Sequence, residues 1–267
     1  MSIIAVVGDC TTTTALALAA GWPSGHDAVI LEADRTGGSL AAWLGTPASP
    51  SLSTIVANSP ALGNSPSTAW SAVDAMVRHA PSGTRFIAAP VRSRAASRAL
   101  SEAGGTLFPL LAQLYEPTII ADIGSYAVAD APSVLFSLAS SIVVCHRQDA
   151  ASAGAATVRL ERLAELVQFL ATFGVPLTVA LIGDRPFGPD EVGQFLTADG
   201  QAEIVMHSLP VDDLTAAVFA GRTGVSERRL ARLPLIREAS ALARQVAPAE
   251  TDRAPDSSRI DQLGSSR

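Results

Sequence analysis

The chain has 267 residues, a formal net charge of −6 and a pI near 5.2, so it is long enough for one large domain, and its acidic balance argues against a surface built throughout for nucleic acid. Cys10 and Cys145 are too few for a disulfide framework and fit a reducing cytoplasm. The opening MSIIAVVGDC has no basic region and is broken at Gly8 and Asp9, so it does not read as a signal peptide, and no apolar run reaches the ~20 residues of a membrane span.

All 19 basic residues are arginine. Chemistry that requires a lysine ammonium is therefore closed to this chain unaided.

Short β-branched runs alternate with longer Ala/Leu segments of helical period, the pattern of a parallel sheet wrapped by helices. Strands are predicted at Ser2–Val7, Ala28–Ala33, Thr84–Ala89, Thr118–Asp122, Ser141–Cys145, Leu177–Ile182 and Glu203–His207. Runs such as IIAVV, AVIL and SIVVC are apolar on both faces, as central strands are when covered on both sides. The expected fold is α/β, a doubly wound, mostly parallel sheet of seven strands or so with helices on both faces. The longest predicted helix runs from about Ala150 to Phe173, with Val158, Leu163, Leu166, Val167 and Leu170 as its apolar stripe, and stops at Gly174. Residues 47–66, rich in Pro, Ser and Asn, read as a loop holding a short helix. Beyond Val246 the chain turns polar; residues 1–247 are expected to form the domain and 248–267 a disordered tail.

In an open parallel sheet ligands sit at the carboxyl ends of the strands. The first such turn is Gly8-Asp9-Cys10, running into Thr11, Thr12 and Thr13. It can present backbone N–H groups and a helix dipole to an anion. It reads equally as an ordinary turn with Asp9 or Thr11 as N-cap.

The run TTTTALALAAGWP, then AVILEADRTGGSLAAWLG, then PSLSTIV resembles the opening of the MinD/ParA-type P-loop ATPases. In that family a lysine-bearing glycine loop and a threonine-rich helix start lead to a strand ending in Asp-x-Asp. TIIADIG is similar to the family's second acidic strand end, and SSIVVCHRQDAASAGAATVRLERL to the strand and helix that follow. The resemblance spans roughly residues 2–246 in order and spacing, and it looks narrower toward ParA-like actinobacterial proteins with degenerate loops. It implies a P-loop NTPase fold. It also implies a nucleotide cradle at Gly8, Asp9, Cys10, Thr11, Thr12, Thr13 and Gly124, with magnesium at Thr12, Asp34 and Asp122. Asp34 would orient the attacking water or touch magnesium.

The loop departs from this pattern. With Gly8 as the first loop glycine, Thr13 and Thr14 fall at the second glycine and the lysine. With the threonine helices aligned instead, Cys10, Thr11 and Thr12 fall at the second glycine, the lysine and the magnesium hydroxyl, and the loop is about four residues short of the P-loop pattern. Neither register restores a lysine. Asp9 is expected where the helix N-terminus would face phosphate, and a negative charge ~4 Å from phosphate costs about 4 kcal/mol at an effective dielectric of 20. The same carboxylate is expected to cap the helix. Asp34 and Asp122 read as a remnant of the magnesium site, with Arg35 placed to pair with Asp34.

Other features carry less. Gly183-Asp184 stands where the family has a base-reading asparagine, and His26, His79, His146 and His207 are dispersed. Ser125 reads as a switch-loop residue. Cys10 and Cys145 are either a redox pair or two small residues in tight turns. Arg222, Arg228, Arg229 and Arg232, with Arg237 and Arg244, match by resemblance the basic face that holds DNA in the family, or form a solvated face balanced by Glu227 and Glu238. The net charge favours the second, so DNA binding is expected to be weak or absent.

The expectation is a cytoplasmic, non-hydrolysing protein that binds a protein partner, with no cofactor and with a homodimer allowed. Its process would be chromosome partition, division-site placement, or secretion or pilus organisation. The alternatives are a working Mg-ATP-dependent ATPase and, below it, a DNA-tethering module.

Overall fold

The computed structural model describes residues 3–247 apart from 25, 59–64, 81–82, 115, 127, 129–132, 150–151 and 199–202. The expected tail at 248–267 lies outside the described residues, as do six positions of the 47–66 loop.

The first half of the chain contains β1 (Ile3–Gly8), α1 (Thr11–Ala20), β2 (Ala28–Glu32), α2 (Leu40–Trp43), α3 (Leu52–Ala57), α4 (Pro66–Asp74), β3 (Arg78–His79), β4 (Arg85–Ile87) and α5 (Ser93–Leu111). There follow β5 (Thr118–Gly124), α6 (Val134–Leu138), β6 (Ser141–Arg147), α7 (Ala153–Ala171) and β7 (Leu177–Ile182). The last elements are α8 (Pro189–Thr197), β8 (Ile204–Leu209), α9 (Asp213–Phe219), α10 (Glu227–Leu230) and α11 (Pro234–Val246).

The eight strands lie in the order β3-β4-β2-β5-β1-β6-β7-β8, all parallel except β3, which runs antiparallel on the β4 edge. Strand alternation divides β1 between two cores. Ile3, Ala5 and Val7 face the layer of α3 to α8, whereas Ile4 and Val6 face α1, α2 and α11. The sheet is thus doubly wound, as its apolar strand sequences require.

Each predicted strand is present, with ends shifted by up to two residues. β5 continues to Gly124 and β6 to Arg147, while the last strand is Ile204–Leu209 rather than Glu203–His207. The eighth strand, β3, is two residues long and too short to leave a period in the sequence. The long predicted helix is α7, held at its start by the Ser152 side chain, which accepts from Ala155 N–H.

α1 is buried on almost every side (Thr11, Thr14, Ala15, Leu16, Ala17, Leu18), which explains a sequence of small and apolar residues with no polar stripe. It packs between the sheet and α11, and Gly21 at its end leaves room for Ser240. Burial of this helix fixes where the β1–α1 turn opens at the edge of the sheet.

Candidate functional site

The carboxyl ends of β1, β2, β5 and β6 meet at one edge of the sheet. β1 is flanked by β5 and β6, with Val6 opposite Asp122 and Gly8 opposite Cys145. The turn between β1 and α1 consists of Asp9 and Cys10 alone. A two-residue turn from strand to buried helix needs backbone that reverses sharply. Gly8 takes φ +112°, and a Cβ there would lie 2.3 Å from the Cys145 carbonyl oxygen. Cys10 takes φ 55°, ψ 29°, the left-handed region that side chains avoid at a cost.

Asp9 differs from expectation. The N-cap of α1 is Cys10, and it makes no side-chain capping bond. The Asp9 amide instead donates to the Cys145 carbonyl at 2.9 Å, carrying the β1–β6 ladder one residue past the strand. That turns the carboxylate toward α7. Its Oδ2 accepts from the Arg147 amide at 3.1 Å and from Nη2 of Arg159 at 2.8 Å, with Nδ1 of His146 at 3.9 Å. Two donors, one of them charged, outweigh a single capping bond. With Arg159 alongside, the repulsion expected from a bare Asp9 is largely compensated. Arg159 also pairs with Asp149, which Arg147 reaches at 3.2 Å. Burial lowers the His146 pKa against the pull of Asp9.

The acidic strand ends do converge. Asp122 is 1% exposed at the end of β5; Thr12 donates to its Oδ2 at 2.7 Å, and its Oδ1 has no hydrogen-bond partner among the described residues. Burial raises its pKa, opposed by the hydroxyls of Thr11 and Thr12, while the charge of Asp34 adds to the rise. Asp34 lies against the β5 end: a Cβ on Gly124, whose φ is +76°, would come 2.5 Å from Asp34 Oδ2. Its other oxygen, Oδ1, accepts from the amide and the hydroxyl of Thr36, both at 2.7 Å, closing a local turn.

No family model matches the sequence, and no curated protein matches it. Solved structures do match. The MinC:MinD cell division protein complex of Aquifex aeolicus aligns over 92% of this chain and 95% of that chain at 13% identity and a TM-score of 0.60. A ParA family ATPase from Chlorobium tepidum TLS covers 91% and is itself covered to 97%, at 16% identity and a TM-score of 0.58. The cobyrinic acid a,c-diamide synthase of Mycobacterium smegmatis, solved with an ATP analog and magnesium, aligns over 83% and 92% at 15% identity and a TM-score of 0.50.

The fold is that of the ParA and MinD ATPases.

The family resemblance of the sequence would place phosphate at the turn after β1. A phosphate cradle needs a loop of about six residues whose amides wrap the anion; Asp9 and Cys10 do not supply it. For magnesium, the Thr12 hydroxyl donates its proton to Asp122, which leaves its oxygen lone pairs open to a cation, and the buried Oδ1 of Asp122 lacks a partner among the described residues. The two-residue connection is thus shorter than such a phosphate cradle, while Thr12 and Asp122 retain oxygens able to meet a metal ion. Among the described residues no cluster of three or more His, Cys, Asp or Glu is placed to hold a metal.

The remaining expected positions scatter. Cys10 is exposed and Cys145 buried, both as free thiols, and burial pushes the Cys145 thiol up to about 12. Arg222, Arg228, Arg229 and Arg232 are exposed on and around α10. Among the described residues no helix is long and apolar enough to cross a membrane.

Three residues of this edge escape a reading of the sequence. Glu32, 2% exposed, accepts from the amides of Ser39 (2.6 Å), Leu40 (2.7 Å) and Ala89 (2.9 Å), and so ties the start of α2 and the end of β4 to β2. Burial raises its pKa despite these bonds. Arg78, 8% exposed, stacks 5.0 Å above Phe86 with both Nη atoms lacking hydrogen-bond partners. Arg159 sits in the second turn of α7, 150 residues from Asp9 in sequence. Glu32 had a visible signal, a charge inside an apolar strand run; the other two had none.

Proposed function

We propose that this chain is a nucleotide-independent member of the ParA/MinD structural class, acting in the cytoplasm by binding a protein partner, in partition, division-site placement or secretion or pilus organisation. One observation carries the reading: the β1–α1 connection is two residues long, with Asp9 held by Arg159 beside the place where phosphate would sit. The absence of lysine supports it. Partner binding is supported by the MinC:MinD complex among the matching structures, and the domain is taken as residues 1–247. Losing the lysine contact removes ~1.5–3 kcal/mol, or about 10- to 150-fold in affinity, before the shortened loop is counted. Calorimetric titration with Mg-ATP should show no saturable binding below about the millimolar range expected for such a weakened site, and no hydrolysis above background. A micromolar dissociation constant, or hydrolysis that disappears in Asp34→Ala, overturns the reading.

A second reading, a working Mg-ATP ATPase, is favoured by the uncapped start of α1 and the partnerless Oδ1 of Asp122. Thr12, Asp34 and Asp122 would then hold magnesium, and the same titration decides between the two.

A further inference from the structure

The groups around Asp9 Oδ2 are those that would surround an oxyanion: the Arg147 amide at 3.1 Å, the Arg159 guanidinium at 2.8 Å and the His146 ring at 3.9 Å. They come from the end of β6 and the second turn of α7, and Asp9, His146 and Arg159 border a cleft of about 520 Å³ that Ser125 and Arg162 also line. The charges close only with Asp9 present. Among the described residues, Arg147 and Arg159 face Asp9 and Asp149 through three ion pairs in all, while Arg162 and Glu165 on the cleft wall offset one another. His146 is kept neutral near pH 7 by its burial. Removing the Asp9 charge leaves one uncompensated cation beside a backbone N–H, in a half-buried site where a charge-assisted bond is worth more than in open water.

We propose that Asp9 is a built-in anion: its carboxylate fills, from within the chain, an oxyanion cradle made by the Arg147 amide, Arg159 and His146, and thereby fixes α7 on the β1–α1 turn without a bound phosphate. The proposal rests on the nucleotide-independent reading and explains how such a protein holds α7 at the site edge in the absence of ligand. It also names the ligand class the cradle takes once emptied, a tetrahedral oxyanion such as inorganic phosphate.

The test is thermal unfolding of the full chain in sodium chloride and in sodium phosphate at matched ionic strength and pH 7.5. Wild type, Asp9→Ala, Asp9→Asn and the double variant Asp9→Ala/Arg159→Ala are compared. Asp9→Ala should melt about 2–4 °C lower in chloride and regain at least half of that in phosphate. Wild type and the double variant should show only the smaller common rise that excluded salts give any protein. Should Asp9→Ala fail to fold in both salts, Asp9→Asn carries the test, since it keeps an acceptor for the Arg147 amide and drops the charge. Its phosphate response must then exceed that of wild type. Equal phosphate shifts in all variants, or an Asp9→Ala protein that melts with wild type in chloride, overturn the proposal. A Mg-ATP titration of wild type run alongside separates the two failures: tight binding sinks the nucleotide-independent reading, while the phosphate arms judge the cradle by themselves.

Discussion

The hydroxyl of Thr12 donates to Oδ2 of Asp122 at 2.7 Å and joins the first turn of α1 to the end of β5. The bond leaves the other carboxylate oxygen buried without a partner. Unpaired buried polar atoms are costly, and an ionised one most of all. The raised pKa of Asp122 expresses that cost. Its sign is definite. A carboxyl whose folded pKa lies above the unfolded value binds its proton more tightly when folded, so its penalty is absent below the unfolded pKa near 3.8 and grows as pH rises through the folded value. Asp122→Asn should therefore raise the melting temperature at pH 7–8, with the gain fading toward pH 4. A loss of stability at neutral pH would show that the ionised carboxylate is needed, as it would be for a resident cation.

Burial raises the pKa of Glu32 as well, but both its carboxylate oxygens are engaged. Its carboxylate is nearly inaccessible yet accepts three backbone amides from two separate segments. Glu32→Ala strands those donors and leaves Arg78 without the opposing charge that supports it. The expected loss is about 3–5 kcal/mol, the scale for breaking a buried charged network. Chemical denaturation measures it. Glu32→Gln, which keeps one acceptor, should lose less, and equal losses in both variants would point to packing rather than hydrogen bonding.

Gly8→Ala should be among the most damaging single-methyl changes in the chain. The new Cβ would stand 2.3 Å from the Cys145 carbonyl at a backbone angle of +112° that alanine avoids. Strain of this kind costs on the order of 1–3 kcal/mol from the backbone alone, before the displaced β6 carbonyl is counted. Gly45→Ala, also at positive φ but in open space, is the control. If the two variants unfold at the same denaturant concentration, the turn is looser than its geometry states.

Much of this was legible in the residues, for a physical reason. Strands buried on both faces must be apolar throughout, so IIAVV and SIVVC declare their place, and the order of strand ends suffices to bring Asp34, Asp122 and Gly124 together. A short turn was legible too: the sequence places it at Gly8-Asp9-Cys10, and the structure, carrying β1 through Gly8, leaves Asp9 and Cys10. What the residues did not disclose is which way Asp9 points. A helix N-terminus and an arginine two turns into another helix compete for one carboxylate, and the winner depends on how α7 crosses β6, which leaves no trace in local spacing. The short β3 strand and the burial of Arg78 against Phe86 escaped for the same reason, since both are set by tertiary packing at an edge.

Truncation after Pro248 should leave the melting temperature nearly unchanged. α11 ends at Val246 with Leu242, Ala243 and Val246 already buried against the sheet, so the core closes before the cut. Terminal changes beyond a completed core usually stay within ~0.5 kcal/mol. A drop of several degrees would mean that residues 249–267 dock on the domain.

The arginines around α10 offer the last test. Arg222, Arg228, Arg229 and Arg232 are exposed, and only Arg228 and Arg229 lie on α10, where adjacent side chains diverge by about 100° around the helix axis. Were all four to meet phosphates, the affinity would fall with salt at a slope of about −3.6, or roughly fiftyfold between 50 and 150 mM. The net charge of −6 adds repulsion from the rest of the surface. Electrophoretic or anisotropy titration with a random duplex at ~150 mM salt should thus show no retention at micromolar protein, the regime where non-specific sites have largely released. Binding that survives this salt, follows the steep slope and vanishes in the Arg228→Ala/Arg229→Ala/Arg232→Ala variant would make the α10 region a DNA-tethering surface and displace protein-partner binding as the primary activity.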